Sequence, residues 1–269
     1  MVEEVSEQKI IRRIRTYING LDEHMEGGIP EGHATLISGT AGTMKSSVCF
    51  NILYNEALKG KKSLYVSLEQ SYESLVQHMS NMRLNIHRIK LLPIKDLTKI
   101  NEVVNKAKAG DTGSIIIADV GCIRNEIKDI KLGDNRSWLN VIKNIIKKMK
   151  ADLNCDLVVL DSMSALYVLS RFENPRIELF YLFEFLKSME ITSYLISETT
   201  DNGAYSELGM EDFLADGIIN LRLTPFRRNI VREIAIVKMR ATDCNNDIFS
   251  LEFKNGQFQA LYGGQNPLL

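Results

Sequence analysis

Residues Ala34-Thr35-Leu36-Ile37-Ser38-Gly39-Thr40-Ala41-Gly42-Thr43-Met44-Lys45-Ser46-Ser47 run from an apolar β-rich stretch through a glycine-bearing turn into a helical pattern that starts at Lys45. A strand, a Gly-rich turn and a helix opening on Lys-Ser form the setting of a phosphate loop. Backbone N–H groups of such a turn can face phosphate oxygens, and the helix N-terminus adds the positive end of its dipole. Gly39, Thr40, Ala41, Gly42, Thr43, Met44, Lys45, Ser46 and Ser47 are therefore the candidate phosphate-binding residues. Lys45 would neutralise the β and γ phosphates of ATP, and the Ser46 hydroxyl would be a ligand of Mg²⁺. One position departs from the pattern, because Met44 stands where glycine is expected before the lysine. A left-handed conformation forced on Met44 would cost about 1–3 kcal/mol, which read as affinity is about ten- to a hundredfold weaker binding.

Outward from this loop, apolar runs alternate with helical patterns. Ala34–Ser38, Ser63–Leu68, Ser114–Ala118, Leu157–Asp161 and Ser193–Ser197 read as short strands buried on both faces. Lys45–Leu58, Ser71–Arg83, Ile100–Ala109, Trp138–Ala151 and Arg176–Met189 carry helical periodicity between them. This alternation predicts an α/β fold with a mostly parallel sheet flanked by helices and right-handed crossovers. After about Gly217 the pattern changes to consecutive strands, Gly217–Leu223, Ile230–Met239, Ile248–Phe253 and Gln257–Leu261, with Asn255-Gly256 as a hairpin turn. C-terminal antiparallel strands are expected there. No repeat or linker divides the chain, so Met1–Thr16 reads as a partly mobile lead-in and residues 17–269 as one domain.

Two further motifs place carboxylates at strand ends. Cys155-Asp156-Leu157-Val158-Val159-Leu160-Asp161-Ser162 has the form of a Walker B strand, delivering Asp161 to the carboxyl end where ligands bind in open α/β sheets. Asp161 would hold Mg²⁺, directly or through water. Glu69, after the strand Ser63–Leu68, would face the same crevice as a base for the attacking water, or is a solvated loop glutamate. Ser197-Glu198-Thr199-Thr200 adds polar groups at a third strand end. Lys238 and Arg240 fall on one face of their strand. They are either a solvated rim or a pair reaching the phosphates of a neighbouring subunit.

Composition narrows the function classes. The 269 residues are 45% apolar and 25% charged with a formal net charge of −1, which is ordinary globular composition with no global pull toward nucleic acid or anionic membrane. Cys49, Cys122, Cys155 and Cys244 are scattered without a C-x-x-C pair, and the four histidines have no metal-ligand spacing. Free buried thiols and a cytoplasmic location are expected, since no apolar run approaches a membrane span and Met1–Lys9 is polar. The lysines of Trp138–Ala151 read as a solvated helix face, and Phe180, Leu182, Phe183, Phe185 and Leu186 as core.

Asn19-Gly20-Leu21-Asp22, Gly27-Gly28-Ile29-Pro30-Glu31-Gly32, the phosphate loop, Leu160-Asp161-Ser162-Met163-Ser164-Ala165-Leu166, Phe183–Ser197, Ala215-Asp216-Gly217-Ile218-Ile219 and Lys238-Met239-Arg240 occur in an order and spacing that resembles the KaiC-like branch of the RecA superfamily. The resemblance covers nearly the whole chain from about Tyr17. It implies a RecA-like core, ATP and Mg²⁺ at subunit interfaces, and commonly a hexameric ring. Glu69 matches that family's catalytic glutamate, and Lys238 and Arg240 match the pair that reaches an adjacent subunit's nucleotide. Gln70 replaces the second glutamate of a pair frequent in the family. Two-domain clock function is not implied for a single such domain.

Three functions remain in view. One is an ATP-hydrolysing regulatory homo-oligomer using Lys45, Glu69, Asp161 and the Lys238/Arg240 pair. Another is a nucleotide-binding module with little turnover, motivated by Met44. The third is a RadA-like DNA-binding recombinase. Against the last, the stretch Thr199–Asp216 carries Asp201, Glu207, Glu211, Asp212 and Asp216 and no Lys or Arg, the wrong charge for a phosphate backbone.

Overall fold

A computed structural model describes residues 11–129, 138–199 and 204–262. In chain order the elements are β1 (Arg13–Ile14), β2 (Ile18–Asn19), β3 (Ile29–Pro30), β4 (Ala34–Gly39), α1 (Lys45–Leu58), β5 (Lys62–Ser67) and α2 (Tyr72–Asn81). There follow β6 (Lys90–Ile94), α3 (Ile100–Lys108), β7 (Ser114–Asp119), α4 (Val120–Asp129), α5 (Trp138–Leu153), β8 (Leu157–Asp161), α6 (Met163–Ser170), α7 (Pro175–Ser188) and β9 (Thr192–Ser197). The last are α8 (Glu211–Leu214), β10 (Gly217–Phe226), β11 (Asn229–Met239), β12 (Ile248–Lys254) and β13 (Gln257–Tyr262).

The main sheet runs β2-β13-β12-β11-β10-β4-β9-β8-β5-β7-β6. From β10 to β6 every pairing is parallel, and β10 through β13 pair antiparallel, as the sequence pattern predicts. The central strands are buried along their length, so successive residues feed two different cores. Ile37, Tyr65 and Val159 pack with Phe50, Leu53, Leu75 and Met79 on the face covered by α1 and α2. Leu36, Val66 and Leu160 pack with Ile142, Met149, Leu166 and Leu182 on the other face. Among the described residues no helix is long and apolar enough to cross a membrane.

Several expectations need adjustment. The first ten residues of the expected lead-in lie outside the described residues. Its end is built into the fold: β1 pairs with β3, Ile14 and Thr16 are buried, and Thr16 donates through both N and Oγ1 to Asp22 (2.7 Å each). The proposed core stripe on α7 divides, with Leu182, Phe183 and Leu186 buried but Phe180 52% exposed. On α5, Lys148 and Lys150 pair with Asp152 and Asp156, while Lys143 and Lys147 lie over the Phe185 ring. These lysines stay partly or fully exposed, so the face is solvated as well as paired. Of the four thiols, Cys49 and Cys155 are buried, but Cys122 and Cys244 are only half-buried.

The sheet also fixes the phosphate loop in place. Gly39 closes β4 opposite Leu221, with φ of 152°, and a Cβ there would collide with the Leu221 carbonyl. Gly39→Ala must therefore push β4 and β10 apart or re-route the chain before the loop. The expected loss is about 2 kcal/mol, a fall in Tm of about 4–8 °C in a chain of this size. Thermal unfolding of the variant checks it.

Candidate functional site at the carboxyl edge of the sheet

The turn between β4 and α1 wraps around its own lysine. The Lys45 ammonium donates to the carbonyls of Gly39 (2.6 Å) and Thr40 (2.9 Å), and the Thr43 hydroxyl donates to the Thr40 carbonyl (2.8 Å). Met44 sits at the start of α1 with φ 77° and ψ 26°, the left-handed conformation anticipated for the glycine position. Its side chain packs half-buried against the core. None of the backbone N–H groups from Thr40 to Met44 donates to the backbone of another described residue. A turn of unpaired N–H groups beside a cation is an anion cradle.

Three strands bring acids toward that cation. Asp161 ends β8 almost fully buried, accepting from the Tyr65 hydroxyl and from the side chain of Ser46. Burial drives its carboxyl above the ordinary aspartate range, those two hydrogen bonds oppose the shift, and the neighbouring Glu69 adds to it. Glu69 is exposed and accepts from the Ser162 hydroxyl; the peptide linking Asp161 to Ser162 is cis. Burial pulls the Lys45 ammonium below the ordinary lysine value, against the attraction of Glu198, Asp161 and Glu69. The four groups thus share one electrostatic neighbourhood. Ser197, at the end of β9 and level with Ser38, has a buried hydroxyl with no partner among the described residues.

The donor set fits a hard cation. Ser46 and Asp161 offer adjacent oxygens, the ligand type that Mg²⁺ prefers, and an orphaned hydroxyl stands one strand away. Among the described residues no cluster of three or more His, Cys, Asp or Glu could hold a metal without help. Ser46 and Asp161 would hold such a cation, which would supply positive charge to neutralise an anion in the loop.

Lys238 and Arg240 are not part of this cluster. Lys238 pairs with Ile218, which lies beside Leu36, and Met239 pairs with Gly217, beside Thr35. Arg240 is therefore level with Ala34, five residues short of Gly39, or about 16 Å along the strand. Lys238 donates to the carbonyls of Asp212 (2.9 Å) and Ala215 (2.7 Å), and Arg240 to Asp216 (2.8 Å) and the Phe213 carbonyl (3.2 Å). Asp216 also pairs with Lys187 and accepts from the Ala34 N–H. Burial works to raise its carboxyl, yet Lys187, Ala34 and Arg240 hold it below the usual aspartate value.

Sequence reading missed two neighbours of the loop. Arg232 donates to the Gly42 carbonyl (3.3 Å), and Tyr65 holds Asp161. Both lie on strands whose alternation was legible, but register alone brings them here: Arg232 pairs with Leu223, two residues beyond the Leu221 that adjoins Gly39. Asp119, the end of β7, is a site-like carboxylate with a structural task, accepting from the N–H groups of Tyr72 and Cys122 (2.9 Å each).

A family model described as the KaiC ATPase matches residues 14–259. The chain is 27% identical over 239 residues to the circadian clock oscillator protein KaiC of a Picosynechococcus species, covering 87% of this chain and 41% of that protein. It thus spans about two fifths of that relative's length. It is 28% identical over 233 residues to a UPF0273 protein of Saccharolobus solfataricus, covering 86% and 76%. A KaiC-like protein of Pyrococcus horikoshii, known from a crystal structure, superposes with a TM-score of 0.70 at 24% identity over 93% of this chain and 99% of that one. This last likeness establishes the RecA-like fold.

Two outcomes follow from the geometry. Met44 is left-handed in the folded chain, so its strain weighs on folding. Met44→Gly should therefore stabilise the fold by about 1–3 kcal/mol in thermal unfolding; unchanged or lower stability would contradict it. Asp161→Asn removes a carboxyl whose folded pKa is raised, and such a group disfavours folding once pH rises through that value. The variant should gain stability relative to wild type at pH 8, and the gain should vanish in acid below the ordinary aspartate range. Melting curves across pH decide it.

Proposed function

Because the chain belongs to the KaiC ATPase family, we propose that it binds ATP with Mg²⁺ on Gly39–Ser47 and hydrolyses it within a ring of identical copies, the hexamer that the family resemblance implies. The observation that carries this reading is the Lys45 ammonium, held by the Gly39 and Thr40 carbonyls and surrounded by Glu198, Asp161 and Glu69. Phosphate oxygens would take over from the two carbonyls, exchanging neutral acceptors for charged ones. Ser46 and Asp161 would hold Mg²⁺. Glu69, exposed at the rim and anchored by Ser162, would take the proton of the attacking water. Arg232 would close over the loop from β11.

Lys238 and Arg240 support assembly through their distance. They cannot serve the loop of their own chain from the opposite end of the strands, whereas a neighbour stacked head to tail would bring them to it. In such a contact Arg240 would leave Asp216 and stabilise charge developing on the γ-phosphate. A second reading keeps binding and drops turnover, because Met44 places a side chain where glycine allows the closest phosphate approach. Soluble, membrane-free action in the cytoplasm and a single folded unit, which takes in β1 as well as the stretch from residue 17, complete the proposal.

Phosphate release by purified protein tests it. Lys45→Ala should abolish turnover, and Glu69→Gln should lower it by about 10²–10⁴-fold. Equal rates in all three proteins would refute hydrolysis at this site, and turnover appearing only in Met44→Gly would favour the second reading. Mixing Lys45→Ala with Arg240→Ala should recover part of the activity that each lacks alone. No recovery from a mixed assembly would remove the contribution in trans.

A further inference from the structure

A polar cleft of about 370 Å³ is walled by four separate stretches of chain: the link between β1 and β2, the flank of α1, the link between α2 and β6, and the β12–β13 turn. Its charge is lopsided, with Arg15, Arg83 and Arg88 set against one acid, Asp22. That acid is already occupied by the Thr16 N–H and hydroxyl and by Arg15 itself (3.3 Å). The guanidinium groups of Arg83 and Arg88 have no hydrogen-bond or ion-pair partner among the described residues. Both are exposed to solvent, and an anion in the cleft could accept N–H bonds from their guanidinium forks.

The remaining lining is amide-rich: Asn51 and Asn55 on α1 are bonded to one another and to nearby carbonyls, and Asn85, Asn255 and Gln257 add amides around them. Amides offer both donors and acceptors, which a bare inorganic anion does not require but a sugar or heterocycle uses. The walls are tied together, since the Tyr54 hydroxyl donates to the Asn85 carbonyl (3.1 Å) and Asn51 donates to the Thr16 and Tyr17 carbonyls (3.3 Å each). The volume suits a small organic ligand.

This cleft is separate from the phosphate loop. Asn51 and Asn55 lie six and ten residues beyond Lys45 on one helix, about 9 and 15 Å along its axis. The two regions are nonetheless mechanically joined. The helix α1 begins in the loop, α2 follows Glu69 and leads to Arg83, and Ser47 Oγ contacts His78 Nε2 (3.1 Å) between these two helices. We propose that the cleft is a second binding site, for an organic phosphate of mononucleotide or sugar-phosphate size, held through Arg83 and Arg88.

The inference does not rest on ATP binding at Lys45, and its test separates the two. AMP and inorganic phosphate are titrated calorimetrically into the Lys45→Ala protein, with and without Arg83→Ala/Arg88→Ala. The arginine substitutions should weaken AMP binding at least tenfold, while leaving Mg²⁺-ADP affinity of the chain with Lys45 intact within twofold. AMP should bind at least tenfold more tightly than inorganic phosphate, since only AMP can use the amide walls. AMP binding indifferent to the arginines would overturn the site. So would loss of Mg²⁺-ADP binding in the arginine variant, which would make the cleft an extension of the loop, and equal affinity for AMP and phosphate, which would remove the organic ligand. Arg83→Lys/Arg88→Lys, retaining charge without the fork, should fall between the extremes and guards against a folding defect. Unaltered Mg²⁺-ADP binding in Lys45→Ala would sink only the ATP reading.

Discussion

The Lys45 ammonium is the interaction around which the rest is arranged. A lysine this far from water is disfavoured, and its own loop provides only two neutral carbonyls. The balance comes from acids at the ends of other strands, Glu198 after β9, Asp161 on β8 and Glu69 after β5. Only a parallel sheet brings those carboxyl ends to one edge, and the crossover helices are the means of returning the chain each time. Burial of the strands on both faces then fixes their register, so the acids arrive at set heights. The site is in this sense a consequence of the sheet.

What could be read from sequence was what is encoded locally. The five parallel strands and their helices carry their own periodicity, and each appears within a few residues of its predicted span. The loop was legible because its glycines, lysine and serines are contiguous. Elements that draw on distant partners were not. The two-residue strands β1, β2 and β3 are too short for a pattern, and β6 contains Pro93, which an edge strand tolerates but a sequence pattern disfavours. Arg232 and Tyr65 escaped for the related reason that alternation fixes a face while register fixes a neighbour. Phe180 was assigned to the core from hydrophobicity alone, although at about 100° per residue it falls beyond the arc shared by Leu179, Leu182, Phe183 and Leu186.

Geometry also changed the meaning of three residues that the sequence singled out, Met44, Lys238 and Arg240. Met44 occupies the left-handed conformation anticipated for a glycine, so the folded chain carries the free energy of that strain. Lys238 and Arg240 form a pair, as their spacing indicates, yet on the far side of the strands from Lys45. Their present partners, Asp216 and the carbonyls around α8, show that they are well ordered where they stand. A role at a nucleotide then requires another copy of the chain, and the cations must exchange one set of oxygens for another.

The most direct measurement is a structure determined with Mg²⁺ and a non-hydrolysable ATP analogue. The account predicts the analogue's phosphates between Thr40 and Ser46, with Lys45 Nζ moved from the Gly39 and Thr40 carbonyls onto phosphate oxygens and the cation on Ser46 and Asp161. A nucleotide bound elsewhere, with Lys45 still held by those two carbonyls, would contradict it.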